Sequence, residues 1–177
     1  MGRIVYGQWV ILIEHYFKIL KRNEFTYEIG IPFFSACLAS YIYNEMGLDV
    51  QALSKLREML PTAISVLIGF TIMAITLLSA SESNTITNIK NRESKASYLN
   101  GKLISIYKLM LIMFSYALIV EIFFLLVIFF VSFLINIYSF SMLVMICLFL
   151  EIFLLLHILL LIVRSITSLY LVLYHQN

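Results

Sequence analysis

The chain has 177 residues, of which 62% are hydrophobic and only 12% charged, against about 25% charged in an average soluble domain. A soluble fold could not hide that much apolar surface and keep a wettable exterior, so the composition excludes a water-soluble globular domain and points to a chain solvated by lipid. A net charge of +2 is too small to argue for nucleic acid through bulk charge, which leaves the placement of the charges as the informative quantity.

Residues 4–22 read as an amphipathic helix. Trp9, Ile13, Tyr16, Phe17 and Leu20 share one face, with Gln8, His15, Lys18 and Arg22 opposite. Glu14 can pair with Lys18 one turn on. The same Glu14 makes the segment a poor membrane span, so it is expected to lie in the interface or to form a cytoplasmic collar. Its short apolar run is followed by charges rather than by a small-residue cleavage site, unlike a signal peptide. Residues 1–26 are therefore read as a cytoplasmic or interfacial N-terminal segment, and 27–177 as a transmembrane domain.

Residues 27–43 form the first predicted span, short for a hydrocarbon core of roughly 30 Å. Pro32 falls near its start, where a missing N–H costs least, and Tyr27, Tyr41 and Tyr43 suit the interfaces. A polar stretch, 44–59, leads to Pro61, which opens the second span, 60–80. The most hydrophilic part follows, with Glu82, Lys90, Arg92, Glu93, Lys95 and Lys102, and reads as a helical extension of the second span ending in a turn near Asn100-Gly101. The third span, 103–134, is apolar apart from Lys108 and Glu121; an uncharged turn at 136–141 precedes the fourth, 142–174, which carries Glu151, His157 and Arg164. Both last helices are longer than a bilayer requires and must tilt or project. Lys108 and Arg164 mark the projecting end, where they can snorkel.

Four spans place Arg3, Lys18, Lys21, Arg22, Lys90, Arg92, Lys95 and Lys102 on one side together with Lys108 and Arg164, leaving Lys55 and Arg57 on the other. The positive-inside rule makes the first side cytoplasmic. The expectation is an all-α membrane protein with about four transmembrane helices plus an amphipathic N-terminal helix, and with both termini cytoplasmic. Cys37 and Cys147 form no CxxC pair and read as small residues in apolar segments.

Within the second span, Glu58, Thr62, Ser65, Gly69, Thr76, Ser79 and Ser83 fall in one sector at about 100° per residue. Two readings fit. Ser65-xxx-Gly69 is a small-xxx-small pair that suits tight helix packing. Alternatively, the hydroxyls line a water-filled pore, with Glu58 and Glu82 becoming carboxylate rings in a symmetric assembly. Ile72 and Met73 would then form an apolar constriction that gates by dewetting.

Glu121, Glu151 and His157 are intramembrane polar residues, costly there and functional candidates by default; the alternative is a hydrogen-bonded glue between helices. Glu151 and His157 are six apart and so lie on different faces, without the i, i+3 or i, i+4 spacing of helical metal ligands. The sequence lacks GxSxG, HExxH, Walker A and dinucleotide fingerprints. Neither enzyme activity nor a cofactor or metal is expected. Arg3, Lys18, Lys21 and Arg22 serve as topology signals, or, gathered in a ring of N-terminal helices, as a cytoplasmic vestibule that attracts anions such as nucleic acid.

The basic amphipathic N-terminus, the LPTAISVLIGFTIMAITLLSA span, the polar segment after it and the two long apolar helices together resemble the channel-forming transmembrane effectors of the two-component Hailong anti-phage system. The resemblance covers the chain in outline and implies a tetrameric ion channel of a bacterial inner membrane. It implies a positively charged N-terminal funnel that binds single-stranded DNA oligomers made by a partner nucleotidyltransferase, with Arg3, Lys18, Lys21 and Arg22 at the matching positions. DNA would hold that channel closed and its loss would depolarise the membrane. Glu14 and Glu24 in the same stretch depart from a purely basic funnel. The competing expectation is a non-conducting membrane anchor or assembly subunit of a larger complex.

Overall fold

The computed structural model of the chain describes residues 7–46, 50–80, 93–99, 102–137 and 141–174. In chain order these form α1 (Gln8–Ile19), α2 (Arg22–Phe25), a π-helical segment (Thr26–Gly30), α3 (Ile31–Met46), α4 (Val50–Ala80), β1 (Glu93–Leu99), β2 (Lys102–Ser105), α5 (Ile106–Ile137) and α6 (Ser141–Tyr174). The class is all-α, with one small hairpin as the exception.

Among the described residues, three helices are long and apolar enough to cross a membrane: Arg57–Ala80 (24 residues), Ile106–Ile135 (30 residues) and Met142–Tyr170 (29 residues). At 1.5 Å per residue the last two exceed a core of roughly 30 Å, as their sequence length predicts. The first predicted span, 27–43, falls in the π-helical segment and α3. α3 has 16 residues, about 24 Å of helix. It continues without a break from α2 and the π-helical segment, where the Ile31 N–H donates to the Thr26 carbonyl.

Two other elements depart from expectation. α4 starts at Val50, well before the predicted span, and Pro61 lies inside it rather than at its opening. The stretch before Pro61, QALSKLREML, is rich in good helix formers, so the helix extends back through it. Of the expected helical extension after the second span, residues 93–99 are instead β1, paired antiparallel with β2 through Leu99↔Lys102, Tyr98↔Leu103 and Glu93↔Ser105, with an irregularity between Glu93 and Tyr98. Asn-Gly between two strand-length segments is a strong hairpin signal, and here it outweighs the helical reading. Glu82, Ser83, Lys90 and Arg92, and likewise Arg3, lie outside the described residues.

The chain divides into two compact units, to both of which α4, α5 and α6 contribute. One comprises Met1–Arg22, Phe70–Ile119 and Leu161–Asn177. Its core is Leu78, Met110 and Phe114, with Ala74, Ile75, Ile106, Tyr107 and Leu169 against it. α1 is fixed by a ring stack: Tyr16 lies on Tyr116 with centroids 3.7 Å apart and planes 7° from parallel, and Phe17 meets Tyr116 edge-on at 6.0 Å. α1 also contacts β1.

The other unit comprises Asn23–Gly69 and Val120–Leu160. Ala36, Leu60, Ile64, Phe124, Ile128, Leu148, Leu154 and Ile158 are buried in it, but so are Glu28, Ser40, Glu121, Glu151 and His157. This is the polar interior from which a site has to be built.

Candidate functional site

The strongest polar contact is an ion pair that sequence distance conceals. Arg57 on α4 and Glu151 on α6 are 94 residues apart, yet Arg57 Nε donates to Glu151 Oε1 at 2.8 Å and Oε2 at 3.0 Å. Their side chains keep only 11% and 4% of their accessible surface. Arg57 was expected outside as a topology charge. It sits instead in helix at the first residue of a candidate span, where a carboxylate neutralises it. Its Nη2 is buried with no hydrogen-bond partner among the described residues.

His157 makes a different contact. The Glu28 carbonyl lies in the π-helical segment just before Pro32, and His157 Nδ1 lies 2.7 Å from that oxygen. A carbonyl only accepts, so Nδ1 carries the proton, and the tautomer follows from this chemistry. The imidazole ring stacks parallel to Phe153 at 6.1 Å. Phe153 in turn stacks on Phe149 at 6.2 Å, and Phe33 closes edge-on against Phe149 at 5.5 Å. Pro61, inside α4, lies four residues after Arg57 and so cannot supply the donor for the Arg57 carbonyl.

Glu121 is fully buried, beside the equally buried Ala117 one turn away, as its expected inward face requires. Glu151 and His157 are both buried, and their separate partners, Arg57 and the Glu28 carbonyl, agree with their placement on different faces of α6. Glu28 was the residue that sequence reasoning missed, because its backbone carbonyl, not its side chain, meets His157.

The second-span stripe is on the surface of the chain. Thr62, Ser65, Gly69, Ile72, Thr76 and Ser79 are exposed, as is Glu58; Ser83 lies outside the described residues. A Cβ added at Gly69 would meet nothing within 4 Å, so the small-xxx-small pair packs against no helix among the described residues. The buried face of α4 is Leu60, Ile64, Thr71 and Leu78. Beside the polar stripe runs a separate exposed apolar face: Met59, Val66, Phe70, Met73 and Leu77. α4 thus has three sectors, one buried, one apolar and one polar. Two stripe hydroxyls are turned back onto their own helix, Ser65 Oγ donating to the Pro61 carbonyl at 2.7 Å and Thr76 Oγ1 to the Ile72 carbonyl at 2.9 Å.

α1 divides in the same way. Tyr16 and Ile19 are buried, Trp9, Val10 and Phe17 are exposed and apolar, and Glu14 and Lys18 are exposed and polar. One docked, one apolar and one charged sector is the pattern of a helix lying at a membrane interface. Of the expected ligand-binding cations, Lys18 pairs with Glu14 at 2.6 Å, and Lys21 and Arg22 are exposed. The ammonium of Lys18 holds the Glu14 carboxyl below the usual carboxylate range by hydrogen bond and charge.

No family model matches the chain, and no curated protein or solved structure matches it either.

Proposed function

We propose that this membrane protein is one protomer of a homo-oligomeric ion channel whose pore is lined by the polar sector of α4. The observation that carries the reading is the exposure of Thr62, Ser65, Gly69 and Thr76 along a helix apolar enough to span a bilayer. Three sectors on one spanning helix correspond to three environments: its own chain, lipid, and a lumen that symmetry-related copies enclose. Glu58 stands at one end of the lumen and Ile72 forms its apolar constriction. The hydroxyls of Ser65 and Thr76 spend their protons on the helix, so they turn lone pairs outward, which favours cations.

The resemblance to Hailong effectors extends the proposal. The channel acts as an anti-phage effector in a bacterial inner membrane, with cytoplasmic termini. It is held closed by DNA oligomers from a nucleotidyltransferase that bind Arg3, Lys18, Lys21 and Arg22, and its opening depolarises the cell. The Lys18–Glu14 pair weakens the contribution of Lys18 to that site.

Purified protein in vesicles, tested for ion flux with and without short single-stranded DNA, checks both levels. The channel reading expects flux from a symmetric oligomer; a monomer in mild detergent that passes no ions at any protein density defeats it. The sensing reading expects salt-sensitive DNA binding and loss of flux; DNA binding that survives neutralising Lys18, Lys21 and Arg22 places the ligand elsewhere. The same back-bonded hydroxyls favour one competing reading, a non-conducting assembly subunit, because they need no water. A fixed-stoichiometry complex with another protein, without a homo-oligomer, would establish that alternative.

A further inference from the structure

α1 exposes three large apolar side chains, Trp9, Val10 and Phe17. At 100° per residue they form one sector, with the half-buried Ile13 among them. Tyr16 and Ile19 dock the neighbouring sector, and Glu14 and Lys18 pair on the third. An exposed apolar face does not by itself identify its partner, but the depth of this one does.

The stack of Tyr16 on Tyr116, with centroids 3.7 Å apart, ties α1 to one level of α5. The candidate span of α5, Ile106–Ile135, has 30 residues, about 45 Å of helix. A hydrocarbon core of roughly 30 Å takes about 20 of them. The exposed Lys108 marks the projecting end, and the uncharged stretch 136–141 marks the other. Counted from Ile135, the core ends close to Tyr116, and a tilt of about 20° moves that boundary by about one residue. On α6, Arg164 lies about 33 Å of helix past Met142, where that span starts, and so reaches the same boundary.

Two features keep α1 along this boundary rather than across it. Its first turn starts at Gly7 without a side-chain cap, so pointing that end into the core would bury backbone N–H groups with no acceptor. Pointing it into water would strand Trp9 and Val10 there. Lying along the boundary gives the apolar sector acyl chains, and gives the Glu14–Lys18 sector headgroups and water.

We infer that the exposed apolar sector of α1 is a lipid-binding surface. Trp9, Val10 and Phe17 insert between the headgroups and upper acyl chains of the leaflet on the Lys108 side, with Glu14 and Lys18 turned to water. The insertion is independent of whether the chain conducts ions. It assigns the apolar side of α1 to lipid and leaves only its polar side to a cytoplasmic ligand.

Trp9 is the single tryptophan of the chain, so the unaltered protein carries its own depth probe. The test places it in phosphatidylethanolamine–phosphatidylglycerol vesicles doped with phosphatidylcholine brominated either near the top of its acyl chains or near their ends. Trp9 emission should be blue-shifted, quenched several-fold more by the shallow bromines than by the deep ones, and little affected by iodide on both sides of the membrane. The tryptophan is then moved with Phe17→Trp or Ile11→Trp, each combined with Trp9→Phe. Phe17 and Ile11 are similarly exposed, at 43% and 46%, but Ile11 lies two turns before Lys18, on the polar sector. Phe17→Trp should repeat the shallow quenching, and Ile11→Trp should answer to iodide instead. Water-like Trp9 emission quenched by iodide alone overturns the inference and makes α1 a cytoplasmic collar. Strongest quenching of Trp9 by the deep bromines overturns it by showing a helix that enters the core. Shielding of Trp9 from both quenchers overturns it by showing that a second copy or another protein covers the face. Equal lipid quenching at positions 11 and 17 removes the division into sectors on which the inference stands.

Discussion

Among the described residues, the unit that holds α1 buries the polar residues Thr71 and Ser165, and the Ser165 hydroxyl donates to its own helix at the Leu161 carbonyl. The unit that holds α3 buries more of them: Glu28, Ser40, Glu121, Glu151 and His157, joined by the largely buried Arg57. The first interior carries an aromatic stack and apolar side chains, contacts that a helix can lose singly. The second is fastened by partners that depend on each other across the sequence. In lipid, apolar burial no longer distinguishes inside from outside, so hydrogen bonds and ion pairs are what give a particular helix arrangement its identity. The difference predicts that single substitutions do unequal damage in the two units.

The largest effect is expected at the ion pair. Arg57→Leu strands a buried carboxylate and should destabilise the protein by about 3–5 kcal/mol, measured by unfolding in detergent. Arg57→Leu combined with Glu151→Leu should recover most of that loss, because replacing a whole buried pair by apolar residues is often neutral. A double variant as unstable as the single would mean that the two residues are not coupled.

Next is the histidine. His157→Phe keeps the ring stack but removes the hydrogen bond to the Glu28 carbonyl, at a cost of about 1–3 kcal/mol. The same unfolding measurement checks it, and unchanged stability would mean that the bond contributes nothing. In the other unit, Tyr16→Leu removes the stack on Tyr116 and should cost about 1 kcal/mol beyond lost area. A loss as large as that at Arg57 would erase the contrast between the units.

The smallest effect belongs to Glu14. Its folded carboxyl titrates below its unfolded counterpart, so the pair with Lys18 contributes above the unfolded value and is lost as pH falls through the lowered one. Its carboxyl is fully exposed, and exposed pairs contribute little. An NMR titration should find the Glu14 midpoint rising in Lys18→Gln; an unchanged midpoint would remove the pair.

The legible parts of this fold are those that composition and length determine. α5 and α6 follow from uninterrupted apolar sequence, and the 3.6-residue period separates the polar sector of α4 from its buried face. The cost of charge in a membrane singled out Glu121, Glu151 and His157 before any partner was known. Their partners were not legible, because a contact across 94 residues leaves no local pattern. Arg57 was misread for the same reason: a cation beside a span looks like a topology signal until its carboxylate is found. Pro32 was placed near a helix start, and α3 begins at Ile31. Asn100-Gly101 was visible but weighed wrongly: it was taken for the end of a helix, though it lies between two strands.

The account rests on the polar sector of α4 facing water. Single cysteines placed at Thr62, Ser65, Gly69 and Thr76, and for comparison at Val66, Phe70, Met73 and Leu77, in a Cys37→Ala background, test this directly in vesicles carrying the protein. A charged, membrane-impermeant thiol reagent should react at the first four positions and reduce the ion current there, while the second four stay unmodified in lipid. Uniform silence at both sets, with the protein folded and present, would contradict the pore and leave the stripe as a surface for another protein.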